Sequence, residues 1–282
     1  MSSSAAKATV DALLRRVDAA GALKRNIVAF SGGVDSSLVA ALVQEAHPRT
    51  SVACIGRSAA LPTAQLELAR QVAAQIGIEL QEVATEEGKN PEYVANDGMA
   101  CFHCKTELYS TLEAVARFAG EDVQRQRQTR AAAATAAAAA AATSPGQRHE
   151  PHHFEISSSS SSSSSSGGGG GGSGSCSGDE AGGKNKDVVL FNGTNKEDRL
   201  DPTRVGLQAA ANFGVASPID GLTKDEVRAA ARLLGLPNWR HAASPCLRSR
   251  LALGVAATDE VRTTGVTRQT QNEIEVYKTD VC

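Results

Sequence analysis

The chain has 282 residues, 41% of them hydrophobic, with 29 lysines and arginines against 31 acidic residues for a formal net charge of −2. That is material for one large domain or two small ones with a buried core, and the balanced charge offers no basic face for a nucleic acid. No apolar run approaches the ~20 residues that cross a bilayer, and Met1 to Val10 is small and polar with no apolar signal core, so a cytoplasmic protein with neither nucleic-acid nor membrane partners is expected.

In chain order, Val10, Leu13, Leu14 and Val17 recur at helical spacing between Ala5 and Ala20 and predict an amphipathic helix that ends at Gly21. Asn26 to Phe30 is a short apolar run stopped by Ser31-Gly32-Gly33, which reads as a strand, and Ser36 to Ala46 reads as a helix stopped by His47-Pro48. The pattern repeats with a strand at Ser51 to Ile55, a helix at Pro62 to Ile76 closed by Gly77, and a strand at Ile78 to Val83. After a loop containing Cys101-Phe102-His103-Cys104, the positions Leu108, Leu112, Val115 and Phe118 mark another helix. Alternating strands and helices of this length predict an α/β fold with a doubly wound parallel sheet and right-handed crossovers.

Glu121 to Lys186 breaks the pattern. It holds eleven of the 26 glycines, ten consecutive serines from Ser157 to Ser166, and eleven alanines among the twelve residues from Ala131 to Ala142. Such a composition cannot bury enough apolar surface to offset the entropy of ordering it, so 121–186 is expected to be a disordered low-complexity insertion within a domain whose first part is 5–120. His149, His152 and His153 and the thiol of Cys176 fall on or beside this stretch and are read as unstructured. The domain resumes over 187–240, with a strand at Asp187 to Phe191, the turn Asn192-Gly193-Thr194-Asn195, a helix around Gly206 to Phe213, and a helix from Thr223 to Leu234. The last has Thr223 as N-cap, Glu226 three residues on, and Gly235 at its end.

The segment 241–282 carries a late cysteine, Cys246, and ends in Gly265 to Cys282, which shows weak periodicity. Six cysteines without a secretion signal point away from disulfide staples. The C-x-x-C of Cys101 and Cys104 points instead to metal or redox chemistry, and Cys54, at the end of a buried strand, reads as a packing residue.

The strongest chemical signal is Ser31-Gly32-Gly33-Val34-Asp35-Ser36-Ser37 between the first strand and the helix that follows. Glycines admit a ligand close to the backbone, and the helix N-terminus presents free N–H groups and a positive dipole end to a pyrophosphate. The serines add donors, and Asp35 can hold Mg²⁺. The spacing is neither that of a Walker A loop nor of a dinucleotide fingerprint; the bland alternative is a turn that only caps the helix.

This heptapeptide resembles the PP-loop of the N-type ATP pyrophosphatases, with an adenine nucleotide alpha hydrolase-like fold, a superfamily that cleaves ATP between its α and β phosphates to adenylate a substrate. Asn96 to Tyr109, Phe191 to Gly206, Ser217 to Lys224 and Leu234 to Arg250, in this order, look like the ATP-dependent sacrificial sulfur transferases of the LarE type, which make the thiocarboxylates of the nickel-pincer nucleotide cofactor. The resemblance implies ATP and Mg²⁺ as cofactors and a nucleotide-like carboxylate as substrate. It assigns Ser31, Gly32, Gly33, Asp35, Ser36 and Ser37 to pyrophosphate and Mg²⁺, Gly193 and Asn195 to the nucleotide, Cys246 to the sulfur, and Arg250 to the substrate phosphate or carboxylate, with Asp198 and Arg204 as further polar positions. For the three cysteines it leaves two routes. Cys101, Cys104 and Cys246 bind a 4Fe–4S cluster with one open iron, or Cys246 gives up its own sulfur; outside the family the rivals are a structural zinc site with His103 or His241 and simple buried cysteines.

Three positions depart from the family pattern. Arg248 stands where a small residue is expected, Val205 replaces a proline, and Gly265 to Cys282 does not resemble the compact region that contributes to the site and to homo-oligomer contacts, so a truncated C-terminal appendage is expected. Competing functions are an amide-forming PP-loop synthetase, a tRNA thiolation enzyme, and a non-catalytic nucleotide-binding remnant. One prediction follows from composition alone. Replacing 121–186 with a short Gly-Ser linker should leave the melting temperature within a few degrees, because the cost of closing a loop changes slowly with its length; calorimetry showing a large drop would mean that the segment packs.

Overall fold

Four short apolar runs form a parallel sheet in the order β3-β2-β1-β4: β1 (Arg25–Ala29), β2 (Ser51–Arg57), β3 (Leu80–Ala84) and β4 (Val188–Phe191). The computed structural model describes residues 3–117 and 187–258. The expected insertion at 121–186, with His149, His152, His153 and Cys176, and the segment Gly265 to Cys282 lie outside the described residues.

Successive side chains along each strand serve opposite faces, as the period of two requires. Val28, Phe30, Ala53, Ile55 and Phe191 share a core with α1 (Ser3–Gly21), α2 (Val34–Ala46), α3 (Thr63–Ile76) and α8 (Lys224–Leu233). Ile27, Ala29, Val52, Cys54 and Leu190 face the other way. There they meet Tyr109, Leu112 and Ala116 of α5, which occupies 100–117, and Ala209 and Ala210 of α7 (Gly206–Asn212). Both faces are covered, which is why the strands read as unbroken apolar runs. The register pairs Ile27 with Val52 on one side and Leu190 on the other. Thus α/β, parallel and doubly wound describes the described residues, and none of their helices is long and apolar enough to cross a membrane.

The boundaries shift for local reasons. Helix α2 starts at Val34, two residues before the sequence reading, because the Ser36 and Ser37 hydroxyls both donate to the Gly33 carbonyl at 3.0 and 2.9 Å instead of capping the helix. Strand β3 begins at Leu80 rather than Ile78, since Gly77 closes α3 at φ 76° and the Ile78 amide still donates to the Ala73 carbonyl. Two short helices escape the periodicity reading. One is α4 (Pro91–Ala95), capped by Asn90 with proline at its first position, and the other is α6 (Lys196–Leu200), with a capping box of Asn195 and Asp198. One apolar turn is too short to show a 3.6-residue period. The capping box of Thr223 and Glu226 that opens α8 is present as read, and Gly235 takes the left-handed conformation after it.

This core sets a stability expectation. Leu42 is fully buried in the face formed by α1, α2 and α8, so Leu42→Ala should cost about 2–5 kcal/mol by removing contacts that cannot be refilled. Leu200, 73% exposed, should tolerate alanine within about 0.5 kcal/mol. Urea unfolding midpoints of the two variants check the contrast.

Candidate functional site

All strands run parallel, so their carboxyl ends gather on one edge, and the loops there build the site. The first is the turn after β1. Gly32 has φ +71°, and a Cβ on it would lie 2.8 Å from the Ala69 Cα of α3. Gly33 is the N-cap of α2 and has no side chain to satisfy the first amides, so the positive end of a 13-residue helix faces the edge unblocked. Asn238, fully buried, donates from its amide to the Gly32 carbonyl at 2.7 Å and to Ser37 Oγ at 2.9 Å. Gln65 of α3 reaches the Ser31 carbonyl. The loop is therefore held from behind, and Ser37 belongs to its support.

The turn after β4 closes against it. A Cβ at Gly193 would lie 2.6 Å from the Ser36 amide nitrogen and 2.7 Å from the Asp35 carbonyl carbon, so backbone lies on backbone. Asn195 caps α6 through its carbonyl oxygen and donates from Nδ2 to Asp35 Oδ1 at 3.3 Å. The other Asp35 oxygen pairs with Lys224 Nζ at 2.5 Å. Asp198 is engaged by the Asn195 amide and, at 3.2 Å, by Arg204.

The third component comes from 247–257, which docks on α4 and α5. The Leu247 amide donates to the Ala60 carbonyl at 2.9 Å, and Asn96, buried and at φ 52°, donates to the Ala252 and Val255 carbonyls at 2.9 and 3.0 Å. Arg248 spans the junction, donating to Asn96 Oδ1 at 2.7 Å and to Cys101 Sγ at 2.9 Å. Two cavities result, of about 250 and about 430 Å³, and Ser31, Asp35 and Cys246 border both. The larger also receives Ser36, Gly193, Cys101, Cys104, Lys105 and Arg204; the smaller receives Gly32, Gly33 and Lys224.

The cysteines of this edge stand in different surroundings. Cys246 is exposed, whereas burial pushes the Cys104 thiol up to about 12, opposed by Lys105 and reinforced by Glu87, Cys246 and Cys101. Cys54 is likewise raised to about 12 by burial and packs in the sheet core. Among the described residues no group of three His, Cys, Asp or Glu side chains is placed to hold a metal ion. The three sulfurs border one cleft without forming the ligand set that a cluster needs. Neither histidine of the zinc alternative completes one, since His103 faces Glu92 at 3.4 Å and His241 borders the smaller cavity.

Of the residues singled out in the sequence, Ser31, Gly32, Gly33, Asp35, Ser36, Gly193 and all three cysteines border the cavities. Ser37 and Asn195 sit behind them, and Arg250 borders neither, its guanidinium turned to the Pro245 carbonyl at 3.4 Å. The arginine that borders the larger cavity is Arg204, while Arg248, the position that departs from the family pattern, borders neither and donates to Cys101 Sγ at 2.9 Å. Sequence reasoning also passed over Lys224, Lys105 and Asn238. Lys224 and Asn238 lie within the quoted motifs Ser217 to Lys224 and Leu234 to Arg250, but nothing local marks them as neighbours of Asp35 and Gly32.

Residues 5–92, which hold the glycine loop, match the family described as NAD synthase. That segment is similar to NAD synthase. Over 242 residues the chain is 30% identical to an uncharacterized protein of Synechocystis sp., a match covering 85% of this chain. The chain spans 65% of that relative's length.

The glycine geometry gives a test. Gly193→Ala and Gly32→Ala should each lose roughly 1–3 kcal/mol, the first from a backbone clash and the second from a left-handed backbone with a clash. Gly33→Ala, whose Cβ would meet nothing nearer than 3.4 Å, should stay within about 0.5 kcal/mol. Wild-type unfolding midpoints for Gly193→Ala would contradict the close approach.

Proposed function

We propose that this chain is an ATP-dependent enzyme that adenylates a substrate carboxylate with release of pyrophosphate and then transfers sulfur to it, giving a thiocarboxylate. The observation that carries this reading is the shared cleft. The glycine loop with its open helix N-terminus and the sulfurs of Cys101, Cys104 and Cys246 border the same space. The donor set suits ATP, with unblocked amides of the α2 first turn for phosphate oxygens and Lys105, Lys224 and Arg204 as cations around them. Mg²⁺ at Asp35 would share or displace Lys224, and a single carboxylate is enough when phosphates supply the other ligands. A bound Mg²⁺ would neutralise charge on the phosphates.

The chemistry follows from the groups present. A carboxylate is a poor electrophile. Attack of its oxygen on the α phosphorus expels pyrophosphate and leaves an acyl adenylate; a sulfur nucleophile then attacks the acyl carbon and AMP departs. Cys246, exposed and bordering with Asp35 both cavities, is the sulfur-bearing position in this reading. Positive side chains near the acyl carbon would stabilise the developing oxyanion.

A second reading, an amide-forming synthetase, draws on the match of residues 5–92 to the NAD synthase family. It shares the adenylation step and has no use for Cys246. ATP turnover should therefore yield AMP and pyrophosphate, and Asp35→Ala and Ser36→Ala should each weaken ATP binding about tenfold or more, since charge-assisted contacts are worth roughly 1.5–3 kcal/mol. Titration calorimetry and product analysis read both. Cys246→Ala should retain ATP–pyrophosphate exchange and lose thiocarboxylate formation. Orthophosphate and ADP as products would sink adenylation, and amide formation unaffected by Cys246→Ala would select the second reading.

A further inference from the structure

Adenylation leaves the C-x-x-C pair unused, and among the described residues it is not placed as a metal ligand set. Its geometry suits something else. Helix α5 starts at residue 100, and the Phe102 and His103 amides both donate to the Met99 carbonyl, at 2.9 and 3.2 Å. Cys101 thus lies in the first turn, near the positive end of the dipole, and Cys104 lies one turn on, on the same side of the helix. Arg248 donates to Cys101 Sγ at 2.9 Å, and Asn96 holds that guanidinium from behind at 2.7 Å. Cys104 instead packs against Tyr93, Ala100 and Ala257. Across the cleft Cys246 is exposed, in a stretch without regular structure.

In thiol–disulfide exchange the attacking sulfur needs access and stabilisation of its thiolate, while the resolving sulfur is shielded until the mixed disulfide forms beside it. We propose that Cys101 and Cys104 are a redox-active dithiol that reduces a disulfide formed at Cys246, with Cys101 attacking and Cys104 resolving. Starting from Cys246 bonded through sulfur to a group SR, Cys101 attacks the Cys246 sulfur. The bond to SR breaks, and RSH leaves with the Cys101 proton. Cys104 then attacks the Cys101 sulfur of the new Cys101–Cys246 disulfide, and its proton goes to the departing Cys246 thiol. A Cys101–Cys104 disulfide remains. The original disulfide gains two electrons, the dithiol loses two, and an external dithiol of small-molecule or protein origin restores the pair. In the sulfur-transfer reading Cys246 first takes a sulfane sulfur from an external persulfide donor, the outer sulfur of the resulting Cys246 persulfide attacks the acyl adenylate and AMP departs, so SR is the acyl-bound sulfur and RSH the thiocarboxylate; only that identity of R rests on the proposed function.

The test uses the full chain with Cys176→Ser and Cys282→Ser, treated with glutathione disulfide, quenched in acid and mapped by peptide mass spectrometry. The background protein should accumulate a Cys101–Cys104 disulfide, Cys104→Ser should trap a Cys101–Cys246 disulfide, and Cys101→Ser should stop with glutathione on Cys246. Arg248 acts as a positioning residue. Arg248→Ala should slow attack by Cys101 roughly tenfold, and Arg248→Lys should restore most of it. Glutathione retained on Cys246 in the background protein with no Cys101–Cys104 bond would overturn the proposal, as would stoichiometric iron or zinc held by these cysteines in the isolated protein. ATP–pyrophosphate exchange by the untreated protein reports on adenylation separately, so failure of one is distinguishable from failure of the other.

Discussion

A Cβ on Gly193 would lie 2.6 Å from the Ser36 amide nitrogen, and the turn after β4 can close on the start of α2 only because none is there. That closure is prepared by the pairing of β1 with β4, two strands that residues 30–187 separate in sequence. It delivers Asn195 to Asp35 at 3.3 Å, and the chain beyond it delivers Lys224 to the other Asp35 oxygen. Asp35 therefore stands between a neutral donor and an ammonium before any ligand arrives. A partly buried carboxylate needs such partners, and a phosphate group brought to the same place finds a cation already held in position.

Behind the loop the same economy recurs. Asn238 uses one amide nitrogen to hold both the Gly32 carbonyl and the Ser37 hydroxyl, while Gln65 takes the Ser31 carbonyl. With the Ser31 and Gly32 carbonyls and the Ser37 hydroxyl bound to these partners, no side chain caps the first-turn amides of α2. A loop supported in this way loses little freedom when a ligand binds, which favours affinity.

The docking of 247–257 rests on Asn96 in a comparable manner. A left-handed asparagine costs on the order of 1 kcal/mol, and two hydrogen bonds from its buried amide to the Ala252 and Val255 carbonyls, each worth about 0.5–1.5 kcal/mol, offset it. The remaining Asn96 oxygen fixes Arg248, and Arg248 fixes the Cys101 sulfur. The late cysteine motif and the C-x-x-C thus meet through one buried side chain that carries no chemistry of its own.

The sequence by itself determined the elements and the loop chemistry. Runs such as Ile27-Val28-Ala29 and Val188-Val189-Leu190-Phe191 can hide only in a sheet covered on both faces. Ser31-Gly32-Gly33 before a helix can serve only a close-approaching ligand or a cap, and Thr223 with Glu226 marks a helix start by local hydrogen bonding. These signals are legible because each arises among residues a few positions apart. The tertiary structure alone decided which distant side chains meet. Lys224 is 189 positions from Asp35, Asn238 is 206 from Gly32 and Arg248 is 147 from Cys101. It also set Arg248 rather than Arg250 beside Cys101, because the short helical turn at 248–250 points one guanidinium at that sulfur and the other at the Pro245 carbonyl. Such pairings depend on how strands order in the sheet and how a returning segment docks, and no spacing along the chain encodes either.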